Sequence, residues 1–355
     1  MKKNKFLFLN SFLLFFLIIS CTTNFPKNDL FKEYLYLKKY ENFSNTFINE
    51  NLQKDIHLVM KNHKVPYGVV IISDVKDGRI VAIDEYSQRG YNYGKYINKP
   101  LQAASIFKLI TFYAALSSNI YNSKDSIKYY DRMYSELRNY LEKRNKTRFY
   151  NKTSIKNAMA LSNNAAFAEI SLKIKKENII KSAERFFFNR TNIRGIETGY
   201  IDFPEDSLKL IKLASGLDDS YMSPLHALLI TMIVGNEGKL CLPMINKNDT
   251  KKVLDIIDKK MAKEMLNSIS LTTRLGTSRK TFSKDLNIAS KTYAKTGSIY
   301  ATDPDGYYNW FVGVYDGEKS RYAIVVLTVN DPEWSVKANY IAFRSIELLN
   351  KYEEN

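Results

Sequence analysis

Two groups of apolar runs lie far apart in this chain, with helical patterns and loops between them. Gly68-Val69-Val70-Ile71-Ile72 and Ile80-Val81-Ala82-Ile83 flank Lys76-Asp77-Gly78-Arg79, a hairpin signal. Far downstream, 289–295, 308–315 and 322–329 read as three more strands, with Asp316-Gly317 turning between the last two. Strands at both ends of a domain share a core only if the sheet is assembled from distant segments. Hairpin connections make such a sheet mainly antiparallel. The expected class is therefore α+β, a mainly antiparallel sheet flanked by helices plus a helical lobe. Helical patterns occupy much of 124–188, with apolar runs at 134–141, 155–161, 165–174 and 179–188. Further helices are expected at 224–234, 258–273 and 336–349, and 189–215 reads as a loop region with Gly195, Gly199 and Pro204. No internal repeat is evident.

The chain is long enough for this design. It has 355 residues, 45% hydrophobic and 25% charged, which fits a folded domain and excludes a disordered one. The formal net charge is +16, falling to +13 without Lys2, Lys3 and Lys5. Such a charge suits an anionic surface. The lysines are scattered, and no zinc spacing or RNA-binding signature accompanies them, so nucleic acid is not an expected partner. His57, His63 and His226 lack metal-ligand spacing, and no metal is expected. His226 reads as structural. Cys241, in Leu240-Cys241-Leu242-Pro243, reads as a small buried hydrophobe, and a structural disulfide with Cys21 is not expected.

The N-terminus divides the chain. Residues 1–20 read as an export signal: a basic start, then an apolar run from Phe6 to Ile19 broken only by Asn10 and Ser11. It is short for a membrane span. The run ends in Ile18-Ile19-Ser20-Cys21, which resembles the lipobox of bacterial lipoproteins. That resemblance implies cleavage before Cys21 and acylation of its thiol and new amino group. Several acyl chains anchor a protein stably where one is marginal. The body of the protein is then expected in the bacterial cell envelope, lipid-anchored to a membrane and facing the extracytoplasmic space. Residues 21–66 are expected to form a tether and a helical lead-in, with 67–355 as the main domain.

One short segment suggests chemistry. In Ala103-Ala104-Ser105-Ile106-Phe107-Lys108-Leu109-Ile110 a serine precedes a lysine by three positions in an apolar helix. The two share a helix face. Burial there favours the neutral amine, which can take a hydroxyl proton. The spacing alone is common in a lysine-rich chain. A second copy, Ser73-Asp74-Val75-Lys76, sits in the hairpin and is discarded. Two further signals follow. Ser162-Asn163-Asn164 opens an alanine-rich helix, where the plain reading is a helix cap. A similar triplet, Ser117-Ser118-Asn119, ends the Ser105 helix and cannot face it. Lys295-Thr296-Gly297-Ser298 ends an expected strand, where Gly297 would let a substrate backbone lie close.

The order Ser-x-x-Lys, Ser-x-Asn, Lys-Thr-Gly resembles the penicillin-binding protein and serine β-lactamase superfamily. The likeness extends over about 67–350. The opening hairpin shares it, as do Met222-Ser223-Pro224-Leu225-His226-Ala227 through Gly235-Asn236-Glu237-Gly238-Lys239, and Tyr308-Asn309-Trp310-Phe311-Val312-Gly313. These last segments favour the peptidoglycan transpeptidase branch. The resemblance implies an active site between sheet and helical lobe, and no metal or organic cofactor. It implies Ser105 as nucleophile, Lys108 as its base, and Ser162 as proton relay. Asn164, Lys295, Thr296, Gly297 and Ser298 would bind substrate, and the N–H groups of Ser105 and Ser298 would form an oxyanion hole. Expected ligands are D-Ala-D-Ala peptidoglycan stem peptides and β-lactam antibiotics. The expected activity is a serine D,D-transpeptidase. The alternatives are a D,D-carboxypeptidase or β-lactamase, and a non-catalytic sensor that kept the fold. Asn163 stands where many β-lactamases have Asp. A deacylating Glu-x-x-Leu-Asn is missing, and Glu197-Thr198-Gly199-Tyr200-Ile201 matches it only at the glutamate.

Overall fold

The computed structural model describes residues 29–190, 192–332 and 336–354. The expected export segment and Cys21 lie outside the described residues. The main sheet has five strands: β1 (Tyr67–Asp74), β2 (Ile80–Tyr86), β3 (Thr292–Thr302), β4 (Asp305–Asp316) and β5 (Arg321–Asn330). Their order is β3-β4-β5-β1-β2, with every pair antiparallel. The distant segments meet where β1 pairs β5, with Tyr67 opposite Val329 and Asp74 opposite Tyr322.

β1 is apolar along most of its length because both faces of the sheet are covered. Side chains alternate across a strand. Val69 and Ile71 accordingly join Val312, Val325 and Leu327 in one core, under the wholly buried helix Pro224–Gly235. Val70 and Ile72 join Phe311, Ile324 and Val326 in the other, under helices Glu50–Asn62 and Ala338–Glu354. Pro224 opens its helix at the position where a missing N–H costs nothing, and the Ser223 hydroxyl caps the His226 N–H at 3.0 Å.

The lead-in is folded onto this sheet. Helix Leu30–Tyr40 buries Leu30, Tyr34 and Leu37, and helix Glu50–Asn62 buries Leu52, Ile56 and Met60. A polar clamp on β2 holds them. Asp84 takes Lys38 and, at 2.8 Å, His57. Glu85 accepts from the Tyr34 hydroxyl at 2.7 Å, the Tyr67 hydroxyl at 2.6 Å and the Gly94 N–H at 2.6 Å. Both carboxylates are almost fully buried.

Several expectations are corrected. The apolar run at 134–141 is not a helix over 134–139: helix starts only at Tyr140, and residues before it form a turn-rich loop. Its carbonyls are used by the site instead. The region 189–215 is not all loop, because Ser207–Ser215 is a helix. Ala289 lies in helix Leu286–Lys291, capped by the Asp285 side chain, so β3 begins three residues later than expected. It then continues past Lys295 to Thr302, zipped to β4 from Thr292↔Tyr315 to Thr302↔Asp305. Apolar patterning does not mark that polar extension; cross-strand pairing creates it. Among the described residues no helix is long and apolar enough to cross a membrane.

Candidate active site

Ser105 sits in a 3-10 turn, Ala104–Phe107, that leads into helix Lys108–Ser117. The sequence led us to expect continuous α-helix here. Instead Ala104 is left-handed, with φ 49°. That conformation costs an L-residue roughly 1–2 kcal/mol, and here it turns the serine into the space between lobe and sheet. Lys108 is fully buried. Its Nζ lies 2.7 Å from each of three oxygens: Ser105 Oγ, Asn164 Oδ1 and the Ser215 carbonyl. Burial, aided by the charge of Lys295, pushes this amine well below the usual lysine range. A neutral amine has two N–H bonds and one lone pair. The amide and carbonyl oxygens can only accept, so they take the two N–H bonds. The lone pair is left for Ser105, whose O–H then donates to Nζ. With the amine neutral, this arrangement leaves Nζ free to accept the Ser105 proton.

Ser162 is also left-handed, with φ 56°. Within the triplet read as a helix cap, Asn163 is the capping residue, and its side chain accepts the Ala166 N–H at 2.9 Å. The Ser162 hydroxyl is therefore available to the cleft, where Lys295 Nζ donates to it at 2.9 Å. Asn164 is held at both ends of its amide. Oδ1 takes Lys108, and Nδ2 donates to the Ser135 carbonyl at 3.0 Å, leaving one amide hydrogen for a substrate.

Lys295 is fully buried, and burial pushes its amine down to about 7. Besides Ser162 it donates to the Thr296 carbonyl at 2.6 Å. β3 is the edge strand of the sheet, so alternate backbone groups face away from β4. The Thr292 and Thr296 carbonyls both receive side-chain donors, which identifies the outward set. Ser298 has the same parity, and its N–H faces the same open side. Gly297 has a reason besides the one expected. A Cβ there would lie 3.0 Å from Ala104 Cβ and 3.2 Å from Ser105 N. The turn that carries Ser105 therefore itself needs this residue small.

These groups line one cleft of about 510 Å³, formed by Ser105, Ser162, Asn164, Thr296, Gly297 and Ser298 with Tyr134, Glu136, Thr277, Asn309, Trp310 and Lys337 among others. Lys108 and Lys295 lie beneath it. Glu197 is not among the lining residues; its backbone is tied to Asn98 and Ser223. His226 is buried with both ring nitrogens engaged, to the Gly199 N–H at 2.8 Å and the Phe186 carbonyl at 2.7 Å, and burial pushes it down to about 4. It is a neutral structural group. Among the described residues no cluster has the composition of a metal site.

Sequence reading missed the third support of Lys108. Ser215 ends helix Ser207–Ser215, and the next residue, Gly216, adopts φ 69°. A Cβ on Gly216 would come within 1.9 Å of the Ala104 carbonyl. This helix end therefore supports both the lysine and the strained turn, and the Thr111 hydroxyl fixes it to the Ala214 carbonyl at 2.8 Å. The signal was present: Asp206 as cap, apolar Leu210, Ile211 and Leu213, then glycine. Thr277 was missed as well; its hydroxyl meets that of Thr296 at 2.5 Å.

Known proteins share the family and the fold of this chain. The family model of the penicillin-binding protein transpeptidase domain matches residues 68–346. The fold is similar to penicillin-binding protein A from Mycobacterium tuberculosis, with TM-score 0.67 and 17% identity over 90% of this chain and 84% of that one. Its imipenem acyl-enzyme complex gives TM-score 0.69 and 15% identity over 90% and 83%. Penicillin-binding protein 3 from the same organism, complexed with aztreonam, gives 0.67 and 12% over 87% and 79%. No curated protein matches the chain. With most of its length under the family model and the fold shared throughout, the chain belongs to the penicillin-binding protein transpeptidase domain family, a serine acyltransferase or peptidase kind of enzyme.

Proposed function

We propose that this chain is a D,D-transpeptidase that cross-links peptidoglycan through an acyl-enzyme on Ser105. The observation that carries the reading is the contact of Ser105 Oγ with a buried amine whose two other partners can only accept. Ser105 attacks the carbonyl between the two D-alanines of a stem peptide, and its proton passes to Lys108. Charge developing on the carbonyl oxygen meets the N–H groups of Ser105 and Ser298, each contributing about 3–4 kcal/mol. Ser162 passes a proton to the leaving nitrogen. The Lys295 ammonium, with Thr296 and Ser298, draws in the terminal carboxylate. Asn164 holds Lys108 and gives its remaining amide hydrogen to the substrate. An amino group of a second stem peptide then takes the acyl group, and Ser105 recovers its proton. No metal or organic cofactor enters this scheme.

A β-lactam would enter the same cleft and acylate Ser105. Penicillin-binding protein A from M. tuberculosis, similar in fold, is known as ceftriaxone and imipenem acyl-enzyme complexes. Glu136 is the one carboxylate among the described residues lining the cleft, and it is exposed and paired with Arg138 at 3.0 Å. With no buried carboxylate to activate water, the drug adduct is expected to persist. This favours transfer over β-lactamase turnover. We further propose lipid anchorage through Cys21, on the basis of Ile18-Ile19-Ser20-Cys21, with the domain outside the cytoplasm.

Intact-mass measurement tests the reading. Incubation with benzylpenicillin should add one drug mass that survives for many minutes and is lost in Ser105→Ala. A donor peptide ending in D-Ala-D-Ala, given with a D-amino acid, should yield the exchanged peptide. Rapid steady hydrolysis of a chromogenic cephalosporin, abolished in Ser105→Ala, would replace this reading with a β-lactamase. No adduct at all would leave a non-catalytic sensor.

A further inference from the structure

A second concavity, of about 370 Å³, lies beyond the cleft at the far end of β3. Tyr200, Tyr221, Tyr300, Tyr308, Gln102 and Lys99 line it. It shares the edge strand with that cleft. Tyr300 is two residues beyond Ser298 on β3, which is about 7 Å. Trp310, on the cleft wall, donates its indole N–H to the carbonyl of Gln102, on the wall of the second concavity, at 2.9 Å, so a residue of one lining is bonded to a residue of the other.

Three features define what this groove accepts. Its walls are tyrosine rings: Tyr200 stacks on Tyr221 with centroids 4.6 Å apart, and Tyr300 is half exposed. Its inner residues hold polar atoms without a protein partner, the Tyr308 hydroxyl and Gln102 Oε1, with Tyr308 only 1% exposed. Buried polar groups are ordinarily satisfied, so an unpaired hydroxyl beside an unpaired amide oxygen calls for a ligand with polar groups of its own. The charges at the rim are already matched, because Lys99 pairs Asp303 at 2.5 Å. A phosphate or carboxylate would find no free cation there. A neutral ring with C–H faces and hydroxyl edges fits all three features, and that is the chemistry of a pyranose.

We propose that this groove is a saccharide subsite, taking an amino-sugar ring of the glycan to which the stem peptide is attached. It rests on the transpeptidase reading above and adds to it that the enzyme recognises sugar as well as peptide. The flat tyrosine faces stack on the ring, and the Tyr308 hydroxyl and Gln102 amide meet its hydroxyl or acetamido groups.

The full chain titrated with chitotetraose, the β-1,4 tetramer of N-acetylglucosamine, tests this by calorimetry and saturation-transfer NMR. Binding should be measurable, and Tyr300→Ala or Tyr200→Ala should weaken it roughly tenfold, the loss of about one stacking contact. Tyr308→Phe should weaken it several-fold, which a purely structural tyrosine would not do. Benzylpenicillin acylation should be unchanged in all three variants. A disaccharide-linked stem peptide should acylate Ser105 faster than the free peptide, and Tyr300→Ala should erase that difference. No chitotetraose binding, or equal binding by the wild type and all three variants, overturns the subsite even where acylation is intact. Saccharide binding without any acylation would instead overturn the transpeptidase reading and leave the subsite standing.

Discussion

Two buried polar clusters in this fold use their charges in opposite ways. On β2, Asp84 and Glu85 are surrounded by opposite charge and donors: Lys38, His57, two tyrosine hydroxyls and a backbone N–H. Beneath the cleft, Lys108 and Lys295 are fully buried, and their hydrogen bonds go only to neutral oxygens. The first cluster is compensated and holds the lead-in helices on the sheet. Among the described residues the second has no buried counter-ion, and burial pushes its amines below the usual lysine range. A compensated charge gives rigidity; an uncompensated one is ready to exchange a proton.

Removing the base should give the largest effect. Lys108→Ala and Lys108→Arg should each lower the benzylpenicillin acylation rate by roughly 10²–10⁴-fold, because arginine cannot give up its proton. Rates of adduct formation by stopped-flow or quenched mass spectrometry check this. An active Lys108→Arg would mean that the amine serves only as a charge, and the contrast between the clusters would fail.

Next comes the compensated cluster. Asp84→Ala strands Lys38 and should cost about 3–5 kcal/mol in chemical denaturation, with the acylation rate of the folded protein unchanged. A loss of acylation without a loss of stability would place this cluster in the catalytic machinery.

A third change separates function from stability within the cleft. Lys295→Met should abolish activity on carboxylate-bearing substrates yet raise stability at pH 7 by about 1–4 kcal/mol. The pH dependence has a definite sign. The folded-state value is pushed down to about 7, while an unfolded lysine titrates near about 10.4. The unfolded state therefore binds more protons across that window, and wild-type stability rises with pH through it. The gap between variant and wild type should narrow from pH 7 to pH 10. A gap constant with pH would show that Lys295 keeps its proton in the folded protein. The smallest effect should come from Tyr34→Phe, which removes one of three donors to Glu85 and should cost about 1.5 kcal/mol, read as a shift in denaturation midpoint.

How much of this was legible in sequence varies by residue. Ser105, Lys108, Ser162, Asn164 and Lys295 were each marked by local spacing, and the structure gathers them at one cleft. Which residue of the triplet caps the helix was not legible, because Ser162 and Asn163 are equally good cap residues and only the backbone turn at Ser162 decides between them. Ser215 escaped notice because it acts through a backbone carbonyl, which leaves no trace in residue type. The carbonyls of Met133 and Ser135, which hold Asn164, were hidden for the same reason. Gly297 was found, but its close approach to Ala104 was not, since that neighbour comes from a distant segment.

The sequence by itself determined the antiparallel sheet joined from its two ends, the helices between, and which side chains meet at the cleft. These follow from hydrophobic period, turn chemistry and residue type, all of which are local. Only the tertiary structure decided that the two lysines are buried without a counter-ion, which backbone carbonyls hold them, and which hydroxyl each one meets. Those properties depend on what other segments bring to the same few ångströms, and a pKa or a hydrogen-bond direction exists only once that neighbourhood is closed to water.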